Sequence, residues 1–215
     1  MNLGFDPHQL TPLCHIMYKY GSDKGNIDNL RHNYTTFYYN LFKNLSNNNL
    51  RIFELGLGTN NVNLPSNMGG NGKPGASLFG WREFFPNSFI FGADIDSGIL
   101  FTDNRIRTFQ CDQTDVQSIF NLWSNQDLLQ PFDIIIEDGL HTFEANVCFF
   151  ENSIHKLKNG GNYIIEDIVD IELPLFVQKI EEWKIKYPDL LFNLIVLPVN
   201  NDKQSDNIIL HIKKQ

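Results

Sequence analysis

The chain has 215 residues, a formal charge of -8 and 42% hydrophobic residues, which suits a globular domain that buries roughly 70% of its unfolded surface without covalent staples. A pI near 5.1 argues against a nucleic-acid partner, because phosphate backbones are held through Lys and Arg patches. Cys14, Cys111 and Cys148 lack C-x-x-C spacing and read as reduced thiols of a cytoplasmic protein, "MNLGFDPHQL" has no signal-peptide character, and no apolar run is long enough for a membrane span.

In chain order, helical apolar spacing covers "HQLTPLCHIMYKY" and "YTTFYYNLFKNL", a helical cap over residues 1–46. "RIFEL" (51–55) is a strand, followed by Gly56 and Gly58. Residues 59–77, rich in Asn, Gly and Pro, form a loop whose length points to function or mobility, such as closure over a bound ligand. "SLFGWREFF" is a short helix, "SFIFGADI" (88–95) the second strand and "RTFQC" (107–111) the third. Helix "VQSIFNLWS" leads to strand "FDIIIED" (132–138). "TFEANVCFFENSIHKLKNGG" reads as one helix capped by Gly160 and Gly161, and "NYIIED" (162–167) as the fifth strand. After helix "LPLFVQKIEEWKIKY", "LFNLIVLPV" and "NIILHIKK" form an antiparallel hairpin across "NNDKQSD". Strands alternating with helices imply an α/β fold: a Rossmann-like, seven-stranded, mostly parallel sheet with helices on both faces, as one domain over 1–215 with its core in 47–215.

The polar clusters all fall at strand ends, where open parallel sheets bind ligands. "ELGLGT" places Gly56 and Gly58 in a tight turn, with Asn61 where a dinucleotide fingerprint wants a third Gly. Asp94 ends the second strand and can accept ribose hydroxyls; a helix cap is the plainer reading. Asp112 and Gln113 can contact an adenine or form a turn. Asp138 ends the fourth strand, and Glu166 and Asp167 the fifth. Neighbouring strands lie about 5 Å apart, so these carboxylates converge and repel unless a cation neutralises them. All-oxygen ligation suits Mg²⁺, or Mn²⁺. His141 follows Asp138 closely and is the candidate general base. Strand-end capping for the carboxylates, and a surface role for His141, stand beside these readings.

Together, "YGSDKG" (20–25), the 65–96 segment, "DQTD" (112–115), "FDIIIEDGLH" (132–141) and "GGNYIIEDI" (160–168) resemble the macrolide sugar O-methyltransferase and cephalosporin hydroxylase-like family of class I S-adenosylmethionine-dependent methyltransferases. The resemblance runs from about Tyr20 to Ile168. It implies Asp138, Glu166 and Asp167 as magnesium ligands and His141 as base. It implies Glu54, Gly56, Gly58 and Asp94 at the cofactor, Asp112 and Gln113 near its adenine, and Ser22, Lys24 and Ser77 as further cofactor-side contacts. Glu137 and Leu140 depart from the family's usual "DDGSH". Larger members carry an N-terminal domain that helps build the substrate pocket, so the substrate does not transfer with the motifs.

The expected function is a magnesium- and S-adenosylmethionine-dependent O-methyltransferase. Its substrate is a small hydroxylated molecule, a sugar or sugar nucleotide; a phosphorylated small molecule is the alternative acceptor. A nicotinamide-dependent oxidoreductase on the same fold is a rival weakened by Asn61 and the carboxylates. A non-catalytic cofactor-binding partner subunit is a second rival. A hydroxylase is the third and lacks a 2-His-1-carboxylate set. Neither nucleic acid nor membrane is expected as a partner, and the apolar residues of "FVQKIEEWKIKYP" leave homo-oligomerisation open.

Overall fold

The computed structural model describes residues 4–25, 27, 32–198 and 206–215. Its elements are α1 (Pro12–Tyr20), α2 (Tyr34–Phe42), β1 (Arg51–Leu55), α3 (Ala76–Phe84), β2 (Phe89–Asp94), β3 (Thr102–Asp103), β4 (Ile106–Gln110), α4 (Val116–Trp123), β5 (Phe132–Glu137), α5 (Phe143–Ser153), β6 (Leu157–Ile165), α6 (Leu173–Lys186), β7 (Leu190–Val196) and β8 (Ile208–Lys214). They form one sheet of order β3-β4-β2-β1-β5-β6-β8-β7, eight strands among the described residues. The extra strand beyond the seven expected is β3, two residues pairing antiparallel with β4 at the sheet edge.

The parallel block β4-β2-β1-β5-β6 is in register at its carboxyl ends. Leu55 sits beside Ala93 and Glu137, Glu137 beside Ile165, and Asp94 beside Gln110. Every loop leaving these ends therefore starts from one rim. The apolar runs are buried on both faces because alternate residues enter different cores. Phe53, Leu55 and Ile135 pack with α4, α5 and α6 around Trp123, Phe149 and Trp183. Ile52, Ile134 and Ile136 pack with α1, α2 and α3 around Tyr38, Phe42 and Trp81. The first two helices thus build one wall of the sheet, and Ser22, Lys24 and His32 from the connection between them line one side of the crevice at the rim.

Two local expectations change. Gly160 and Gly161 are not a helix cap. The helix ends at Ser153, a single 3₁₀ turn follows, and both glycines lie inside β6. The register slips there, from Phe132 opposite Leu157 to Ile134 opposite Asn162, and Gly160 takes a left-handed φ of 74° that suits such an irregularity. The C-terminal hairpin forms as β7 antiparallel to β8, while its polar connection lies outside the described residues except for Asp206.

His211 on β8 shows how the α2 wall is fastened to the sheet. Its ring meets Phe37 edge-on at 5.8 Å, and Nε2 lies 3.0 Å from Asn162 Oδ1. Burial, with a smaller contribution from Lys213, lowers its pKa from 6.5 to about 4. The folded state therefore binds this proton less readily than the unfolded chain. Its contribution is complete above about pH 6.5 and lost as pH falls toward about 4, a linkage worth up to roughly 3 kcal/mol. Thermal melts across that range should fall more steeply for wild type than for His211→Gln. Parallel pH dependence in the two proteins would remove His211 from the acid response.

Candidate functional site

The loops leaving the rim enclose a cavity of about 750 Å³. One end is lined by Gly56, Gly58, Asp94, Asp112 and Gln113, and the other by Lys24, His32, Asp138, His141 and Asp167. Ser22 and Ser77 also reach its wall. Glu54 and Glu166, 0% and 1% exposed, lie behind it.

At the first end, Gly56 (φ 88°) turns the chain where Asp138 crosses it. A Cβ at Gly56 would lie 1.7 Å from the Asp138 carbonyl oxygen, so only glycine allows the approach. Asp94 lines the cavity while organising its floor: Oδ2 accepts the Leu57 amide at 2.7 Å and Oδ1 the Asp96 amide at 2.9 Å. Burial raises its pKa, and these backbone donors pull it back. Asp112 accepts both the amide and the hydroxyl of Thr114, which is the turn alternative realised at the cavity edge. Gln113 is 7% exposed and spends its amide within the protein: Oε1 accepts the Leu140 amide at 2.7 Å, and Nε2 donates to Glu137 at 3.3 Å.

The second end is an acidic cluster around a buried ammonium. Lys24, 2% exposed, places Nζ 2.5 Å from Asp138 Oδ2, against Glu166 Oε2 and 3.7 Å from Glu54 Oε1. Burial alone would lower its pKa, but the charges of Asp138, Glu166 and Glu54 hold it well above the usual lysine value. Glu54 also accepts Ser77 Oγ at 2.5 Å and the Trp81 indole N–H. Glu54, Ser77 and Lys24 thus form one internal network, of which Lys24 and Ser77 also line the cavity. Tyr38 donates to Glu166 Oε1 and Tyr34 to Asp167 Oδ1, each at 2.5 Å. Burial raises the pKa of Glu166 despite Lys24, and also that of Asp167.

Asp138, His141 and Asp167 face one another across open cavity, with ligand atoms all within 4.8 Å. His141 Nε2 is 3.2 Å from Asp138 Oδ1 and 3.6 Å from Asp167 Oδ2. Burial opposes its protonation, but the Asp138 hydrogen bond and the charges of Asp167 and Asp138 raise its pKa to about 9. His141 and Asp167 both take left-handed backbone, φ 58° and 53°, a strain that non-glycine residues keep only where the surroundings impose it. Asp138 and Asp167 offer oxygens to the cavity. Both Glu166 oxygens already accept hydrogen bonds, so it joins a cation only by a second lone pair on one of them. Two accessible carboxylates, a third behind them and no thiol make a donor set suited to a hard divalent cation.

Sequence reasoning missed the two tyrosines, whose spacing reads as an apolar helix stripe, and left His32 unassigned. His32 stacks on Tyr34 at 4.5 Å with Nδ1 3.6 Å from Asp167.

Removing one partner of a buried ion pair leaves uncompensated charge, at about 3–5 kcal/mol. Lys24→Met should therefore lower unfolding free energy by that order at neutral pH in denaturant titrations. The deficit should shrink in acid, where Glu54 and Glu166 take up protons. A neutral-pH loss under about 1 kcal/mol would deny the ammonium this role.

No protein-family profile matches the chain. By sequence it is 29% identical over 171 residues to the 8-demethyl-8-alpha-L-rhamnosyl tetracenomycin-C 2'-O-methyltransferase of Streptomyces olivaceus, 80% of this chain and 41% of that protein. It is 33% identical over 140 residues to the mycinamicin VI 2''-O-methyltransferase of Micromonospora griseorubida, 64% of this chain and 32% of that protein. The chain therefore spans less than half the length of these relatives. Among solved structures, the MycE methyltransferase of the mycinamycin pathway in complex with Mg, SAH and mycinamycin VI aligns with 96% of this chain and 55% of its own, at TM-score 0.70 and 24% identity. A putative caffeoyl-CoA O-methyltransferase from Staphylococcus aureus aligns with 83% of this chain at TM-score 0.55 and 16% identity. The chain is a relative of the sugar O-methyltransferases of macrolide and tetracenomycin pathways, built on the class I S-adenosylmethionine-dependent methyltransferase fold.

Proposed function

We propose that the protein is an S-adenosylmethionine- and magnesium-dependent O-methyltransferase acting on a hydroxyl of a small sugar-like molecule. One observation carries this reading: a single cavity joins a glycine-turned, Asp94-floored strand rim to the Asp138–His141–Asp167 cluster. The relatives' names, and the Mg and SAH bound to MycE, agree with it.

In this reading Gly56, Gly58 and Asp94 would hold the cofactor, with Asp112 and Gln113 at its adenine, and the activated methyl would be supplied to the acidic end of the same cavity. Asp138 and Asp167, with Glu166 behind them, would hold the magnesium ion. When bound, the ion supplies a Lewis acid that lowers the pKa of a coordinated hydroxyl. The protein's main task is alignment, since the sulfonium methyl is already activated. The carboxylates orient the acceptor oxygen and His141 receives its proton. The His141 pKa is raised by Asp138 and Asp167, whose charge Lys24 balances only in part. With those charges balanced, it falls back toward the ordinary histidine range, and the neutral ring can accept the proton. Lys24 and the two tyrosines keep the carboxylates in place throughout.

Among the described residues, no helix is long and apolar enough to cross a membrane. The three cysteines are unbridged, which suits the reducing cytoplasm we assign to the protein.

Calorimetric titration should give S-adenosylhomocysteine binding to both wild type and Asp138→Ala, with Mg²⁺ binding only to wild type. Absence of cofactor binding to wild type would refute the methyltransferase assignment. Cofactor binding without Mg²⁺ binding would remove the metal and leave the carboxylates as acceptors of substrate hydroxyls. With a glycoside acceptor, His141→Asn should lower kcat by about 10²–10⁴ while S-adenosylhomocysteine affinity stays at the wild-type value. Unchanged kcat would exclude His141 as the base.

A further inference from the structure

Gln113 was placed beside the adenine, yet its amide is committed to the opposite wall. Its Oε1 accepts the Leu140 amide at 2.7 Å and its Nε2 donates to Glu137 Oε1 at 3.3 Å. The second Glu137 oxygen accepts the Tyr163 hydroxyl at 2.5 Å, so this buried carboxyl is anchored from β6. The Gly139 backbone passes close enough that a Cβ there would lie 1.8 Å from Gln113 Oε1. Gly139 and Leu140 are the two residues between Asp138 and His141. Gln113 therefore grips the turn that sets the spacing of the cation-binding carboxylate and the base.

That turn needs a grip. His141 ends it in left-handed backbone, φ 58°, which a non-glycine residue keeps only under external constraint. On its other side the Asp138 amide donates to the Leu55 carbonyl at 2.9 Å, and Gly56 packs against the Asp138 carbonyl. Ser66, from the 59–75 segment, donates to the Leu140 carbonyl at 3.0 Å. Two of these clamps, Gly56 and Gln113, also line the proposed cofactor end. Gly56, Ser66 and Gln113 all face the same cavity.

We infer that Gln113 is a positioning residue that couples the two ends of the cavity. A cofactor packed against its side chain fixes the amide, the amide fixes the 138–141 turn, and occupancy of the cofactor end strengthens cation binding at Asp138. This rests on the proposed cofactor placement. By linkage the effect is reciprocal: the cation strengthens cofactor binding by the same factor. A purely structural Gln113 would instead change cation affinity equally with and without cofactor.

The test is calorimetric titration of Mg²⁺ into wild type, Gln113→Leu and Gly139→Ala, each alone and saturated with S-adenosylhomocysteine. Gly139→Ala leaves Gln113 in place but pushes its amide off the turn, so a folding defect in one variant does not decide the matter. In wild type, saturation should tighten Mg²⁺ binding by about fivefold or more. In both variants that factor should fall to about one while the homocysteine derivative still binds. A factor of one in wild type, or an undiminished factor in a variant that melts cooperatively, overturns the coupling. Failure of the homocysteine derivative to bind wild type overturns the proposed function itself and is read from a separate titration.

Discussion

A buried ammonium with carboxylates on three sides is the constraint on which this structure turns. Glu54, Asp138 and Glu166 come from three neighbouring strand ends, and Lys24 Nζ reaches all of them. Without it, desolvated like charges would sit within a few ångströms of one another at the centre of the rim. With it, the negative charge is partly balanced from behind. The faces of Asp138 and Asp167 that turn to the cavity remain available, so the arrangement leaves two carboxylates open without filling the space before them with protein.

The tyrosines extend the same logic. Tyr34 and Tyr38 present apolar rings to the core and hydroxyls to Asp167 and Glu166. The face of α2 that covers the sheet therefore also anchors the carboxylates. The N-terminal segment, which a sequence reading treats as a cap, supplies the ammonium from the connection after α1 and both phenols from α2. The residues at the other end of the cavity are equally shared, since Gly56 and Gln113 also hold the 138–141 turn. Sharing of this kind follows from the register of β1, β2, β4, β5 and β6, which end level and leave their loops no separate space.

Much of this was legible in the sequence, for identifiable reasons. Continuous apolar strands ending in "ED" twice announced a sheet buried on both faces with polar ends, and strand adjacency brought Asp138, Glu166 and Asp167 together. The partners of those carboxylates were less visible. Lys24 and Glu166 stand 142 positions apart, and no periodicity links them. Tyr34 and Tyr38 satisfy a helical apolar stripe, so the pattern explains them without their hydroxyls. Gly160 and Gly161 look like a helix stop because glycine serves caps and strand irregularities alike. Gln113 lay where an adenine contact was expected, but a donor-acceptor amide has no direction in a sequence, and its bonds run to Glu137 and Leu140.

The long reach of Lys24 also ties distant parts of the chain to one point. Its partners stand at the ends of β1, β5 and β6, and each such contact closes a long loop at an entropic cost. Until β6 is paired, Glu166 stays solvated and the α2 tyrosines have no acceptor. The crevice at the rim is thus a product of the whole sheet, and a local opening at β6 would loosen the N-terminal wall with it.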